Sequence, residues 1–378
     1  MIQLPETFRI PPGKRLVHSE ISRLMAKQLP QTMVTMKDIA REVGLSVTTV
    51  SRALNDHDDV SIQTRTLVHE VALRLDYHPN AVARSLQNSR ADAIGLLIPP
   101  ILHRAYDAFW LDFIGGAASA CAQFGTDLLL SAVSTSEGEN QGFKRLARGR
   151  RVDGLLLCDV QQADPRIEYL RQHDLPFVAF GRTMGPQDYS FIDVDGAAGV
   201  RQAVEHLVQL GHRRVAYLGV STKFSFSSFR LRGYRDALSR AGIGYDARLV
   251  HEGLTAPMAA AVMTQLLSTS DRPTAVFASG DFLALAAVKT ARSLALDVPE
   301  DLSVVVFDDG ALVEGADPPL TAVNQPNRRL GEEAAELLLQ RIEHRSVQLV
   351  QRLVVPSLTQ RLSTAPPRDY ERTLPLAQ

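Results

Sequence analysis

The sequence predicts a short all-α head followed by a two-lobed α/β region with parallel, doubly wound sheets. Three observations carry this. The 378 residues exceed one hydrophobic core, and 45% apolar with 22% charged residues is ordinary globular composition. Residues 34–77 hold helical spacing and no strand pattern. From Ala93 onward, apolar runs of four to six residues alternate with amphipathic stretches, the texture of parallel strands covered on both faces.

Residues 1–33 carry Pro5, Pro11, Pro12 and Pro30 and are read as a poorly ordered leader. They contain no continuous apolar segment of the kind that directs secretion, and no run in the chain reaches the ~18 apolar residues of a membrane span. A cytoplasmic protein is expected. Cys121 and Cys158 sit inside apolar runs, which argues against disulfides or a cysteine-based metal site. In the head (34–78), Thr35 and Asp38 have capping-box spacing, with Ile39, Ala40 and Val43 inward before Gly44. Ser46 is placed to cap a second helix through Leu54. Ser61 is placed to cap a third, with Val68, Val71, Ala72 and Leu75 inward until His78-Pro79 breaks it.

Strands are expected at 94–98, 127–130, 154–157, 177–180, 215–219, 275–278 and 304–307. Helices are expected at 111–124, 197–210, 229–241, 258–267 and 282–294. The tail, 364–378, has three prolines and no leucine heptads, so a coiled-coil tetrameriser is not expected.

Two eight-residue helices joined by Gly44-Leu45-Ser46 leave chain for little but a sharp crossing. Such a hairpin can read DNA or cap an enzyme. If it reads DNA, Val47 and Thr48 face base edges in the major groove, with Arg52 one turn on, able to chelate guanine.

The residues go further than the geometry. Met36-Lys37-Asp38-Ile39-Ala40, Gly44-Leu45-Ser46 and Thr49-Val50-Ser51-Arg52-Ala53-Leu54-Asn55 resemble the N-terminal signature of the lactose-repressor family of bacterial transcription regulators. Val60-Ser61, Thr64-Arg65, Tyr77-His78-Pro79-Asn80 and Ala83-Arg84-Ser85-Leu86 continue the resemblance, which runs on to about Ser363. It implies a helix-turn-helix head, a hinge and linker at 79–92, and a periplasmic-binding-protein-like effector domain over 93–363. Its first lobe is expected at about 93–191 and 327–354, its second at about 192–323 and 355–363. It also implies a homodimer on a pseudo-palindromic double-stranded operator. The DNA contacts implied are Thr35, Ser46, Val47, Thr48, Thr49, Ser51, Arg52, Asn55, Tyr77, Asn80 and Ala83, with Leu86 as a wedge between base steps.

One feature of the head departs from usual DNA binders. Over 34–92, Lys37, Arg41, Arg52, Arg65, Arg74, Arg84 and Arg90 face Asp38, Glu42, Asp56, Asp58, Asp59, Glu70, Asp76 and Asp92, a net charge of −1. Without a basic excess the expected salt dependence of DNA binding is shallow.

No glycine loop for dinucleotides or nucleotides, no His-Glu-x-x-His and no Gly-x-Ser-x-Gly is present, so neither a cofactor nor catalysis is expected. Ligands of α/β folds lie past the carboxyl ends of strands. There the chain has Asp107, Phe109 and Trp110, then Arg182, then Phe226 and Arg230, then Asp281 and Phe282, then Asp308. Charged groups that grip hydroxyls beside aromatic rings suit a mono- or disaccharide. The resemblance implies effector contacts for Arg230, Asp308 and Gln325, and an apolar wall at Phe191. Gly280 stands where some relatives have asparagine. The expected function is therefore repression of transcription under control of a sugar. The rivals are a sugar-binding protein or a sugar-modifying enzyme of similar fold.

Overall fold

The computed structural model describes residues 34–77, 90–98, 108–132, 136–344 and 348–368. The leader, Asn80, Ala83, Leu86 and Asp107 lie outside them. The chain forms two compact units, one within Met1–Arg84 and one within Ser85–Gln378.

In the first unit, α1 (Met36–Val43), α2 (Val47–Leu54) and α3 (Ile62–Arg74) start and stop where the capping residues require. The amide and hydroxyl of Thr35 both donate to Asp38 Oδ2, at 2.9 and 2.7 Å. Gly44, at φ 68°, takes the left-handed conformation that ends α1. Ser46 Oγ accepts from the Thr49 amide at 3.1 Å, and Ser61 Oγ from the Thr64 amide at 3.2 Å. The three helices bury Ile39, Ala40, Val50, Ala53, Val60, Val68, Val71 and Ala72 against one another.

The second unit has two sheets. In the first, β1 (Ala93–Ile98), β2 (Asp127–Ala132), β3 (Gly154–Leu157), β4 (Phe177–Phe180), β5 (Phe191–Val194) and β11 (Gln351–Val354) pair in parallel, ordered β11-β5-β4-β3-β1-β2. In the second, β6 (Val215–Leu218), β7 (Val250–His251), β8 (Ala275–Ala278), β9 (Ser303–Phe307), β10 (Thr321–Asn324) and β12 (Ser357–Thr359) follow the order β12-β10-β9-β8-β6-β7. Here β12 alone runs antiparallel. The helices α4 (Ala108–Gln123), α5 (Ser136–Arg148), α6 (Pro165–Gln172), α7 (Gly196–Gln209), α8 (Ser225–Arg240), α9 (Ala256–Leu267), α10 (Asp281–Ser293), α11 (Ala311–Glu314) and α12 (Asn327–Glu343) complete the unit. Among the described residues, no helix is long and apolar enough to cross a membrane. The largest apolar core runs through both lobes, from Ile94 and Trp110 to Tyr217 and Phe307.

Two expected boundaries move. β5 pairs with the first sheet as far as Val194, so the first crossover comes at Asp195 rather than near 191. Nor does the domain end at Ser363. His212 Nε2 lies 2.9 Å from the Ala365 carbonyl, His206 Nε2 3.0 Å from Thr364 Oγ1, and Arg368 3.0 Å from Asp301. The first part of the expected tail is thus hydrogen-bonded into the second lobe.

His212 makes that attachment sensitive to acid. Its Nδ1 lies 2.8 Å from Thr274 Oγ1 and its Nε2 also reaches Ser303 Oγ at 3.0 Å, which fits a neutral ring protonated on Nε2. Burial holds its pKa down at about 4, against an ordinary 6.5. Above pH 6.5 the neutral ring's contribution is complete; as pH falls toward 4, the unfolded chain takes up a proton that the folded ring refuses. The depression converts to about 3 kcal/mol. Melting curves at pH 7 and pH 4.5 should therefore differ more for the wild type than for His212→Gln. Equal differences would remove His212 as the cause.

Candidate functional site

On the head, the capping of α2 decides which groups face outward. Ser46, Val47, Thr48 and Arg52 are exposed, with Thr48 and Arg52 one turn apart on a common face. Arg52 Nη1 lies 2.7 Å from Asp59 Oδ2, in the loop before α3. The other residues expected there have local duties. Thr35 is exposed but caps α1. Thr49 Oγ1 sits 2.8 Å from Ser46 Oγ. Ser51 offers its carbonyl to the Asn55 side chain at 2.8 Å. Tyr77 packs half-buried against the head core, and that burial raises its pKa.

In the second unit, the carboxyl ends of the strands bring most of the expected effector residues together. Arg230 starts the second turn of α8 and is buried against Phe307, its guanidinium 3.6 Å from that ring and 4.8 Å from Phe226. Its Nη1 donates to the Ser279 carbonyl at 3.0 Å and lies 3.1 Å from Ser279 Oγ, while Nη2 is 4.0 Å from Asp308 Oδ2. Asp308 has φ 85°, a conformation that side chains resist. It is fixed there by its amide donating to the Val323 carbonyl at 3.1 Å and by the side-chain amide of Gln325. Asp281 opens α10, where its Oδ1 accepts from the Phe282 amide at 2.7 Å; burial, with the Asp308 charge nearby, raises its pKa to about 6.

From the first lobe, Arg182 follows Gly181, whose φ of 110° turns the chain out of β4. Its Nη1 lies 2.7 Å from Asp193 Oδ2 and its guanidinium 4.1 Å from the Phe229 ring. Burial pushes Asp193 up to about 7, opposed by Arg182, the Val194 amide and Arg230. The lobes are stitched beside this network. Ser225 donates to the Val160 carbonyl from its amide (3.0 Å) and hydroxyl (2.7 Å), and the Gln162 amide reaches Thr222 O at 2.9 Å and Ser228 Oγ at 3.0 Å.

Two expectations change. β5 alternates, so Ile192 and Val194 join the core that holds Trp110, whereas Phe191 is buried on the other side beside Tyr189. Phe191 is packing, not the wall of a site. Trp110 is likewise buried, in a cluster with Phe109, Phe113 and Phe180. The sequence reading also passed over Asp193, Ser279, Phe229 and Phe307. Asp193 had a signal: a carboxylate inside the apolar run Phe191-Ile192-Asp193-Val194 needs a buried partner. Arg182 and Arg230 face Asp193, Asp281 and Asp308, so the cleft offers hydrogen bonds in quantity and no excess of positive charge. No cluster of described residues could hold a metal ion.

Comparison with known proteins agrees with this architecture. Residues 35–80 match the model of bacterial regulatory proteins, lacI family, and residues 204–364 that of the periplasmic binding protein-like domain. The transcriptional regulator CelR of Thermobifida fusca is 36% identical over 312 residues, covering 82% of this chain and 92% of its own. The repressor CytR of Escherichia coli K12 is 32% identical, covering 90% and 99%. Among solved structures, a CelR–cellobiose complex superposes with TM-score 0.68 at 33% identity over 87% of this chain and 99% of its own. A lac repressor dimer bound to operator and an anti-inducer reaches 0.76 at 28% identity over 88% and 99%. These relatives are named as regulators, not enzymes. With a capped head of three helices, a two-sheet ligand domain and relatives matched over most of their length, the chain belongs to the lacI family of bacterial regulatory proteins and is a DNA-binding transcription regulator.

Proposed function

We propose that the chain is a cytoplasmic, non-catalytic repressor that binds a pseudo-palindromic operator as a homodimer, and that an uncharged mono- or disaccharide in the cleft controls its affinity for DNA. The observation that carries the sugar is the Arg230–Asp308–Gln325 group set against the Phe226 and Phe307 rings. Forked donors and carboxylate acceptors match vicinal hydroxyls, and ring faces match the C–H faces of a pyranose. The cellobiose held by the CelR relative supports the same class. Control requires that the sugar bind the DNA-competent and DNA-incompetent states with different affinity, since equal affinity shifts nothing.

The experiment is to recover duplexes that the purified protein retains from a random pool, then add α- and β-glucosides, galactosides and disaccharides. A sugar that changes retention, without being consumed, establishes the reading. Arg52→Ala should weaken binding to the recovered duplex by about 1–3 kcal/mol and leave sugar affinity alone. Wild-type retention by Arg52→Ala would remove Arg52 from the reading face.

A further inference from the structure

We propose that Asp59 sets the DNA specificity of the head by competing with the phosphate backbone for Arg52. The proposal rests on Arg52 being a reading residue, as above. The pair is 2.7 Å apart, with side chains 53% and 50% exposed, so it stands in water where it can be exchanged. Its geometry is nevertheless fixed. The His57 amide donates to the Arg52 carbonyl at 3.0 Å and the Val60 amide to the His57 carbonyl at 3.1 Å. Val60, next to Asp59, is buried in the head core. The loop is thereby folded back onto the end of α2, and Asp59 is held over Arg52. Asp58, one residue earlier and equally acidic, forms no ion pair among the described residues; Asp56 faces His69 at 3.4 Å.

Competition of this kind acts unequally on different DNA. An exposed ion pair and a single phosphate contact are of similar, small strength, so on arbitrary sequence Arg52 gains little by leaving Asp59. A two-pronged contact to a guanine edge is stronger and directional, and it outweighs the pair. Asp59 therefore taxes non-specific binding more than operator binding. That fits a head whose net charge of −1 already gives phosphates little to hold.

The test uses the full-length protein with Asp59→Asn, Asp58→Asn, Arg52→Ala and the Arg52→Ala/Asp59→Asn double variant. The probes are the tightest duplex selected by the wild type from a random pool, and a random-sequence duplex of equal length. Asp59→Asn should raise affinity for the random duplex roughly fivefold and for the selected duplex less than about twofold. It should also steepen the salt slope on random DNA by about 0.9. Asp58→Asn should change both duplexes equally and by less. The double variant should lose the gain on random DNA. Equal gains on both duplexes, identical behaviour of the two aspartate variants, or a gain that survives loss of Arg52 would each overturn the proposal while leaving Arg52 as a reading residue. If Arg52→Ala left the selected duplex bound as tightly as before, the underlying reading would fail, and the proposal with it.

Discussion

Arg230→Ala should leave the ligand-free protein on its DNA and abolish its response to sugar. The guanidinium occupies the junction of four strand ends: it reaches Ser279 after β8, Phe307 and Asp308 after β9, and Phe226 in the turn that follows β6. Removing it deletes the donor fork and leaves Asp308 with Gln325 as its remaining described side-chain partner. Asp308 would then drift toward protonation or toward water, and the hydroxyl pattern it accepts would be lost with it. Breaking one side of a buried ion pair costs about 3–5 kcal/mol, which as affinity is several hundredfold or more. Arg230→Lys should recover little, because an ammonium makes neither the fork to Ser279 nor the flat stack on Phe307. Titration of sugar against a DNA-bound protein, with a melting curve to confirm folding, reads both effects. Unchanged sugar release by a folded Arg230→Ala protein would move the binding site elsewhere.

Much of this arrangement was legible because its parts are local. Capping at Thr35, Ser46 and Ser61 is written in side chains that bond within three residues, and all three helices begin where those residues stand. Arg230 and Asp308 stood out as charges just beyond apolar strands. What escaped depends on which face a strand turns inward. Phe191 and Asp193 lie in a four-residue run too short to betray its register, so a ring destined for the core was taken for a wall and a buried carboxylate was passed over. The edge strands β7, β11 and β12 escaped for a related reason. They are two to four residues long and half-exposed or exposed along much of their length, so they lack the apolar run that marks a central strand. The Arg52–Asp59 pair joins residues seven apart through a loop whose path no local rule supplies.

Gly331→Ala should be the most disruptive small substitution in the second unit, and the reason is a contact no pattern of hydrophobicity announces. α4 and α12 touch backbone to backbone. A Cβ built on Gly331 would stand 2.0 Å from the Phe113 carbonyl oxygen, and one on Gly116 would stand 1.8 Å from the Arg328 carbonyl oxygen. Each helix thus presents a glycine to the other's main chain, and neither obstacle is a side chain that can swing away. Adding a methyl at either place forces the helices apart, at about 3 kcal/mol or more, or roughly 5–10 °C in Tm. The displacement would carry Phe109, Trp110 and Phe113 with α4, so sugar affinity should fall together with stability. Gly280→Ala is the control: its Cβ would meet nothing nearer than Val220 Cγ1 at 3.8 Å, and its melting temperature should match the wild type. If Gly331→Ala and Gly280→Ala melted alike, the helices would have room between them, and the close crossing that holds the aromatic cluster in place would be disproved.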